Sequence, residues 1–122
     1  MNAAANLELN EGEKLAFSIT LPDGKTIHTI LLPGEKCMNW NDGMAWAKEQ
    51  GGDLPDLVEH AFFKKYMPEE FNPKLYWSNT QHAYNSCYAW YQSFYIGYQS
   101  RSFKYDELLV RAVRRITTIQ SI

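Results

Sequence analysis

The triplet Trp40-Asn41-Asp42 places two oxygen-bearing side chains next to each other, as a calcium site would need. Calcium takes about six to eight oxygen ligands, and no Glu-Pro-Asn or Gln-Pro-Asp motif elsewhere supplies the remaining ones. Asn39 or Asn41 can instead cap a helix, with Asp42 near its positive end. We therefore favour helix capping over metal binding.

The histidines and cysteines show no ligand spacing. His28, His60 and His82 lie far apart, and they form no zinc pattern with Cys37 or Cys87. Two thiols so far apart, without a CxxC motif, are expected to be buried and free. No glycine-rich phosphate loop, paired-carboxylate motif or GxSxG elbow is present. The sequence therefore predicts no enzyme activity, no metal and no cofactor.

Basic residues are frequent in the last third of the chain. They are Arg101, Lys104, Arg111, Arg114 and Arg115. Combined with exposed tyrosines, such residues suit single-stranded nucleic acid, but Asp106 and Glu107 lie among them. A salt-bridged, solvated face is favoured. The net charge of -2 gives no general attraction to nucleic acid or anionic membrane.

Aromatic residues occupy nine of the twenty-four positions in LYWSNTQHAYNSCYAWYQSFYIGY, residues 75–98. In a strand over 88–96, successive side chains alternate between two faces. One face would carry Tyr88, Trp90, Gln92, Phe94 and Ile96. The other would carry Ala89, Tyr91, Ser93 and Tyr95. The first set, with Trp77, is assigned to the core, and the second is expected nearer the surface.

Exposed tyrosine and arginine side chains carry much of the binding energy at protein interfaces. The candidate contact surface is Tyr84, Tyr91, Tyr95, Tyr98, Gln99 and Arg101. The alternative, equally weighted, is that these tyrosines only shield the edges of a sheet.

A chain of 122 residues, 45% of them apolar, is expected to form one soluble domain. Residues 1–13 are predicted to be a flexible leader and residues 14–122 a single domain. The N-terminus has no secretory signal pattern, and no run of eighteen apolar residues occurs. A cytoplasmic location without membrane association is expected.

Secondary structure follows from local patterns. Two β-rich runs, 15–21 and 25–32, flank Pro22-Asp23-Gly24 and predict a hairpin covered on both faces. One helix is predicted from Asn39 or Asn41 to Gly51-Gly52, and another from Asp56, with Glu59 in a capping box, to near Pro68. Strands are predicted in LYWSN, CYAWYQSFY, YQSRSFK and LLVRAVRRI. This order indicates the α+β class.

Five short motifs in this order resemble one protein family. They are Trp40 to Ala47, Gly51 to Pro55 with Glu59, Tyr76 to Asn79, Ala89-Trp90 with Phe94 and Gly97, and Arg111 to Arg114. Over residues 15–116 the chain resembles the domain at the C-terminus of bacterial collagen-like adhesins, which also occurs in prophage proteins. The chain departs from that pattern at Gly51-Gly52-Asp53, where an arginine is common, and at Ala112, where a cysteine is common.

The resemblance implies a C-type-lectin-like fold, related to formylglycine-generating enzymes and to the variable proteins of retroelements. This fold would have an N-terminal hairpin, two short helices and a C-terminal set of antiparallel strands. The function expected is a non-enzymatic, phage- or prophage-encoded module that binds a protein partner, for which a host protein is one candidate. Three alternatives stay open: an inhibitor of a host defence complex, a structural or oligomeric phage component, and an enzyme using Cys37 or Cys87.

Overall fold

The computed structural model describes residues 7–119, which form two sheets and two helices. The strands are β1 (Lys14–Thr20), β2 (Lys25–Leu31), β3 (Lys36–Met38), β4 (Leu75–Gln81), β5 (Tyr88–Ser93), β6 (Gln99–Phe103), β7 (Leu108–Val110) and β8 (Val113–Ile119). The helices are α1 (Trp40–Glu49) and α2 (Leu57–Tyr66), with a 3-10 turn at Pro68–Glu70. This composition confirms the α+β class.

The strands are divided between a three-stranded sheet, in the order β1-β2-β8, and a five-stranded sheet, in the order β3-β7-β4-β5-β6. The expected strand LLVRAVRRI is two strands, because the chain leaves one sheet after Val110 and enters the other at Val113. The expectation of an all-antiparallel C-terminal set is wrong at one contact, since β4 and β7 run parallel. Among residues 7–119, neither helix has the length and apolar character needed to cross a membrane.

The N-terminal hairpin forms as predicted. Gly24 adopts a positive φ of 88° in the turn, and its amide donates to the Leu21 carbonyl at 3.0 Å. Residues 28–32 are all buried, because β2 sends alternate side chains into two separate clusters. Ile30 belongs to the cluster around Trp77, and Leu31 belongs to the cluster around Phe63.

Both helices begin at the predicted caps. Asn39 is the cap of α1, and its Oδ1 accepts a hydrogen bond from the Asp42 amide at 2.9 Å. Asp56 and Glu59 form the reciprocal capping box of α2. The link between the helices packs tightly, since a Cβ on Gly52 would lie 2.0 Å from the Val113 carbonyl oxygen. Glycine at that position lets Asp53 bridge to Val113 on β8.

The buried carboxylate of Glu59 connects several elements, in an arrangement we call the Glu59 clamp. Arg115 on β8 donates from Nε to Oε2 at 2.8 Å and from Nη2 to Oε1 at 2.6 Å. Thr29 Oγ1 on β2 donates to Oε2 at 3.1 Å, and the Asp56 amide donates to Oε1 at 2.8 Å. The clamp thus fastens α2 to the three-stranded sheet.

His60, the next residue along α2, is fully buried among Phe63, Phe71 and Phe94. Its Nε2–H donates to the Trp77 carbonyl at 3.0 Å, which links α2 to β4. Within residues 7–119, Nδ1 has no hydrogen-bond partner. Burial lowers the pKa of His60 to about 4, so the ring is neutral at pH 7.

Replacing Glu59 by alanine is expected to lower the free energy of unfolding by about 3 kcal/mol, because Arg115 and Thr29 lose their shared acceptor. Glu49→Ala, at an exposed site on α1, serves as the control and should change stability by less than about 0.5 kcal/mol. Urea unfolding measures both. Equal effects of the two substitutions would contradict a stabilising clamp.

Stability is expected to fall as the pH decreases from about 6.5 towards 4, because the unfolded chain binds a proton at His60 over this range and the folded chain does not. The full loss would be about 3 kcal/mol. Urea unfolding between pH 7 and pH 5 should show a shallower pH dependence of stability in His60→Gln than in the parent chain. An unchanged slope in His60→Gln would contradict the assignment.

Candidate functional site

The six residues of the predicted contact surface do not form one surface. Tyr84 is 95% exposed in the loop before β5, whereas Tyr95 and Tyr98, at 74% and 45%, lie in the turn after β5. A strand rises about 3.3 Å per residue. The six residues of β5 therefore separate Tyr84 from the other two by roughly 20 Å.

The expectation that Tyr91 lies near the surface is wrong. Tyr91 is only 8% exposed and packs with Trp77 and Ala89 in a core cluster. Its hydroxyl lies 3.5 Å from that of Tyr98. Ala89 and Ser93, which were also expected nearer the surface, are buried at 0% and 1% exposure. The Tyr91 face of β5 therefore meets a core cluster, where small Ala89 allows close packing. Gln92 is buried as predicted, so both faces of β5 are covered near the end of the strand.

Several residues on the other face of β5 also differ from their predicted burial. Trp90 and Tyr88, expected in the core, are only partly buried. Ile96 is 68% exposed because β5 ends at Ser93 and Ile96 lies in the turn. Phe94 and Trp77 are buried as predicted, at 6% and 0% exposure.

Gln99 has an internal role that its sequence position does not reveal. Its Nε2 donates to the Leu57 carbonyl at 2.7 Å and to Gln92 Oε1 at 2.9 Å. The side chain thereby joins β6 to the start of α2. Arg101 follows two residues later, is exposed, and stands across from Trp90 in the sheet.

The structure instead brings together a band of partly or fully exposed rings that we call the aromatic strip. Its members are His82, Tyr84, Tyr88, Trp90, Phe103 and Tyr105. They come from β5, β6 and the loops next to these strands.

His82 organises the first half of the aromatic strip. Its ring stacks on Trp90, with 5.6 Å between centroids and 16° between planes. Its Nδ1 accepts from the amides of Tyr84 and Asn85, each at 3.2 Å. These bonds shape the loop that presents the almost fully exposed ring of Tyr84.

The second half of the strip crosses from β5 to β6. Tyr88 pairs with Phe103 in the ladder, and their rings stack with centroids 4.5 Å apart. Phe103 stacks in turn on Tyr105, at 5.1 Å and 11°. Phe103 is 39% exposed and Tyr105 73%. The rings support one another while leaving area open to solvent.

Two cations border the strip. The Arg101 guanidinium carbon lies 5.9 Å from the centre of the Tyr88 ring, and Lys104 Nζ lies 4.6 Å from that of Trp40. Neither forms an ion pair with a carboxylate among residues 7–119. Lys104 Nζ also donates a hydrogen bond to Gln81 Oε1, so of these two cations only Arg101 lacks a polar partner among residues 7–119.

The other basic residues of the C-terminal third are already engaged. Arg114 Nη2 lies 2.8 Å from Glu13 Oε1, and this hydrogen bond lowers the pKa of Glu13. Arg115 belongs to the Glu59 clamp. Arg111 is buried and donates to the carbonyls of Leu32 and Glu70. The prediction of a salt-bridged face is confirmed for Arg114 and Arg115.

The leader predicted over residues 1–13 lies partly outside the described residues. Within its described part, residues 7–13, the Glu8 carbonyl accepts from Arg114 at 2.9 Å. Glu13 also binds Arg114, so this segment touches β8. Its flexibility stays a prediction.

The expectation of buried thiols is wrong, since Cys37 and Cys87 are both exposed. Cys37 lies on β3, an edge strand, and Cys87 lies in the loop before β5. Neither thiol hydrogen bonds to a histidine within residues 7–119. Cys87 borders an open groove of about 450 Å³ that also touches Phe103, Tyr105 and the start of α1.

No site for a metal is apparent among the residues that the structure describes, because no three His, Cys, Asp or Glu side chains come together there. The protein-family models and the curated proteins compared with this chain give no match.

The exposures of the tyrosines lead to a direct test. Tyr91→Ala is expected to cost about 3 kcal/mol of unfolding free energy, because it leaves a cavity beside Trp77. Tyr84→Ala should change stability by less than about 0.5 kcal/mol. Urea unfolding of the two variants provides the comparison. A neutral Tyr91→Ala would contradict its place in the core.

Proposed function

We propose that the chain is a protein-binding module that contacts its partner through the aromatic strip and Arg101. The observation behind this proposal is the set of exposed rings that stack on one another beside the Arg101 guanidinium, which has no carboxylate partner within residues 7–119. Aromatic and arginine side chains are enriched at the energetic centres of protein interfaces. Stacked rings also lose less rotamer freedom on binding than isolated ones.

The distribution of charge favours a protein over nucleic acid as the partner. Within residues 7–119, the cations that border the strip are Arg101 and Lys104, and Lys104 already binds Gln81. Arg111, Arg114 and Arg115 are engaged elsewhere. Nucleic-acid binding needs several phosphate contacts, and the net charge is -2. Stacking of bases would therefore receive little electrostatic support.

A binding role also agrees with the surroundings of the thiols. Nucleophilic catalysis requires a base within hydrogen-bond reach of the nucleophile. Cys37 and Cys87 have no such histidine among residues 7–119. Under this proposal, Cys87 lies beside the contact surface and performs no reaction.

A C-type-lectin-like fold is part of the same proposal. The order of hairpin, two helices and strands supports it, as does the return of the final strand to the hairpin sheet. In such a fold, loops on a rigid frame recognise a partner. The resemblance to domains of bacterial and prophage proteins supports a protein of the bacterial host as the partner.

Removing the cation and the ring together, in Arg101→Ala/Tyr88→Ala, is expected to weaken partner binding at least tenfold, because both contacts lie on the proposed surface. The matched control is Lys65→Ala/Tyr66→Ala, since Lys65 Nζ lies 5.3 Å from the Tyr66 ring on the exposed side of α2. Affinity capture from cells that encode the chain identifies partners, and titration calorimetry measures their binding. Loss in the control alone would place the interface on α2.

A further inference from the structure

Strand β6 is the last strand of the five-stranded sheet, so one of its sides is unpaired within residues 7–119. The Ser93 amide donates to the Tyr98 carbonyl at 2.8 Å, and the Lys104 amide donates to the Cys87 carbonyl at 2.9 Å. These bonds fix which pairs of the β5–β6 ladder exchange hydrogen bonds, because such pairs alternate in antiparallel strands. Ser100 and Ser102 therefore direct their backbone groups towards β5.

Gln99, Arg101 and Phe103 consequently direct their backbone groups away from the sheet. The Phe103 carbonyl accepts from the Asp106 amide at 2.9 Å. The remaining outward groups bind no other segment among residues 7–119. They are the amide and carbonyl of Gln99, the amide and carbonyl of Arg101, and the amide of Phe103. An edge of this kind is a template for an additional strand.

The side chains on this edge belong to the surface already described. Register places Arg101 across from Trp90 and Phe103 across from Tyr88. A strand added to β6 would therefore lie directly beside the aromatic strip, and alternate side chains of that strand would rest on it.

We propose that β6 accepts an extended segment of the partner protein as an antiparallel strand, in which an acidic side chain pairs with Arg101. This inference rests on the proposed function and specifies the binding mode. Charge complementarity selects the occupant, since Arg101 has no carboxylate partner among residues 7–119. A second copy fits less well, because symmetric pairing centred on Arg101 would oppose two guanidinium groups.

The experiment compares Arg101→Ala with Arg101→Pro. Both substitutions remove the charge, but only proline also removes the outward amide of residue 101. The β5–β6 ladder does not use this amide, and edge strands tolerate proline at such positions. The probes are synthetic eight-residue peptides in which valine or tyrosine alternates with threonine, with Glu or Lys at a central position. Fluorescence anisotropy measures binding, and circular dichroism verifies the fold of each variant.

The parent chain should bind Glu-centred peptides at least tenfold tighter than Lys-centred ones. Arg101→Ala should remove this preference, and Arg101→Pro should weaken binding about tenfold further. N-methylation of the peptide amides that face β6 should weaken binding of the peptides to the unaltered chain. This measurement tests strand addition even if the proline variant fails to fold. Methylated and plain peptides binding equally would overturn strand addition.

These outcomes separate the binding mode from the function. One outcome is that N-methylated and plain peptides bind equally, while Arg101→Ala/Tyr88→Ala no longer binds the protein that the parent chain captures. In that case strand addition is wrong and the proposed function stands. The remaining possible occupant of the β6 edge is a second copy of the chain. Sedimentation equilibrium tests for it and should find a monomer. If the chain forms a dimer and Arg101→Pro dissociates it, the β6 edge binds a second copy of the chain, and the proposal of a partner segment is wrong.

Discussion

The buried carboxylate of Glu59 is the constraint on which the exposed surface depends. It accepts hydrogen bonds from β8, β2 and the cap of α2, and so fixes where α2 can lie. Held there, α2 covers the part of the five-stranded sheet near Gln92 and Gln99, where Gln99 reaches the Leu57 carbonyl. At the other end of the same face, the rings of Tyr88 and Phe103 stay partly exposed within the described part of the chain. The aromatic strip is the uncovered remainder of that face.

Features governed by short-range chemistry were predictable from the sequence. Asn39 caps α1 because its side chain reaches an amide three residues ahead, and Asp56 with Glu59 forms a capping box for the same reason. The turn at Pro22-Asp23-Gly24 needs only a positive φ that glycine supplies. The sequence also indicated that Glu59 would bond within its own helix cap. It gave no sign that the same carboxylate would bind Arg115, fifty-six positions away.

Features decided by distant packing were not predictable. Alternation in YAWYQSFY defines two faces of β5 but not how much of each is covered, and both contain aromatics. The burial of Tyr91 depends on Trp77 and Ala89, since a large ring on β4 needs a small neighbour beside Tyr91. The break of LLVRAVRRI into β7 and β8 likewise depends on two sheets that local sequence cannot distinguish. Phe103 had a usable signal, because it alternates with Arg101 along β6, and Tyr105 follows in the turn after this strand.

Strand geometry explains why β6 has both side chains at the aromatic strip and backbone groups that face away from the sheet. In any strand, the residues that share a face also share the direction of their backbone groups, because both alternate with a period of two. Arg101 and Phe103 therefore combine side chains at the aromatic strip with backbone amides on the open edge that have no hydrogen-bond partner among residues 7–119. A shift of one residue in the β5–β6 register would move both properties to Ser100 and Ser102, whose side chains are small. The turn at 94–98, where Gly97 has a φ of 95°, holds the register that places both properties on Arg101 and Phe103.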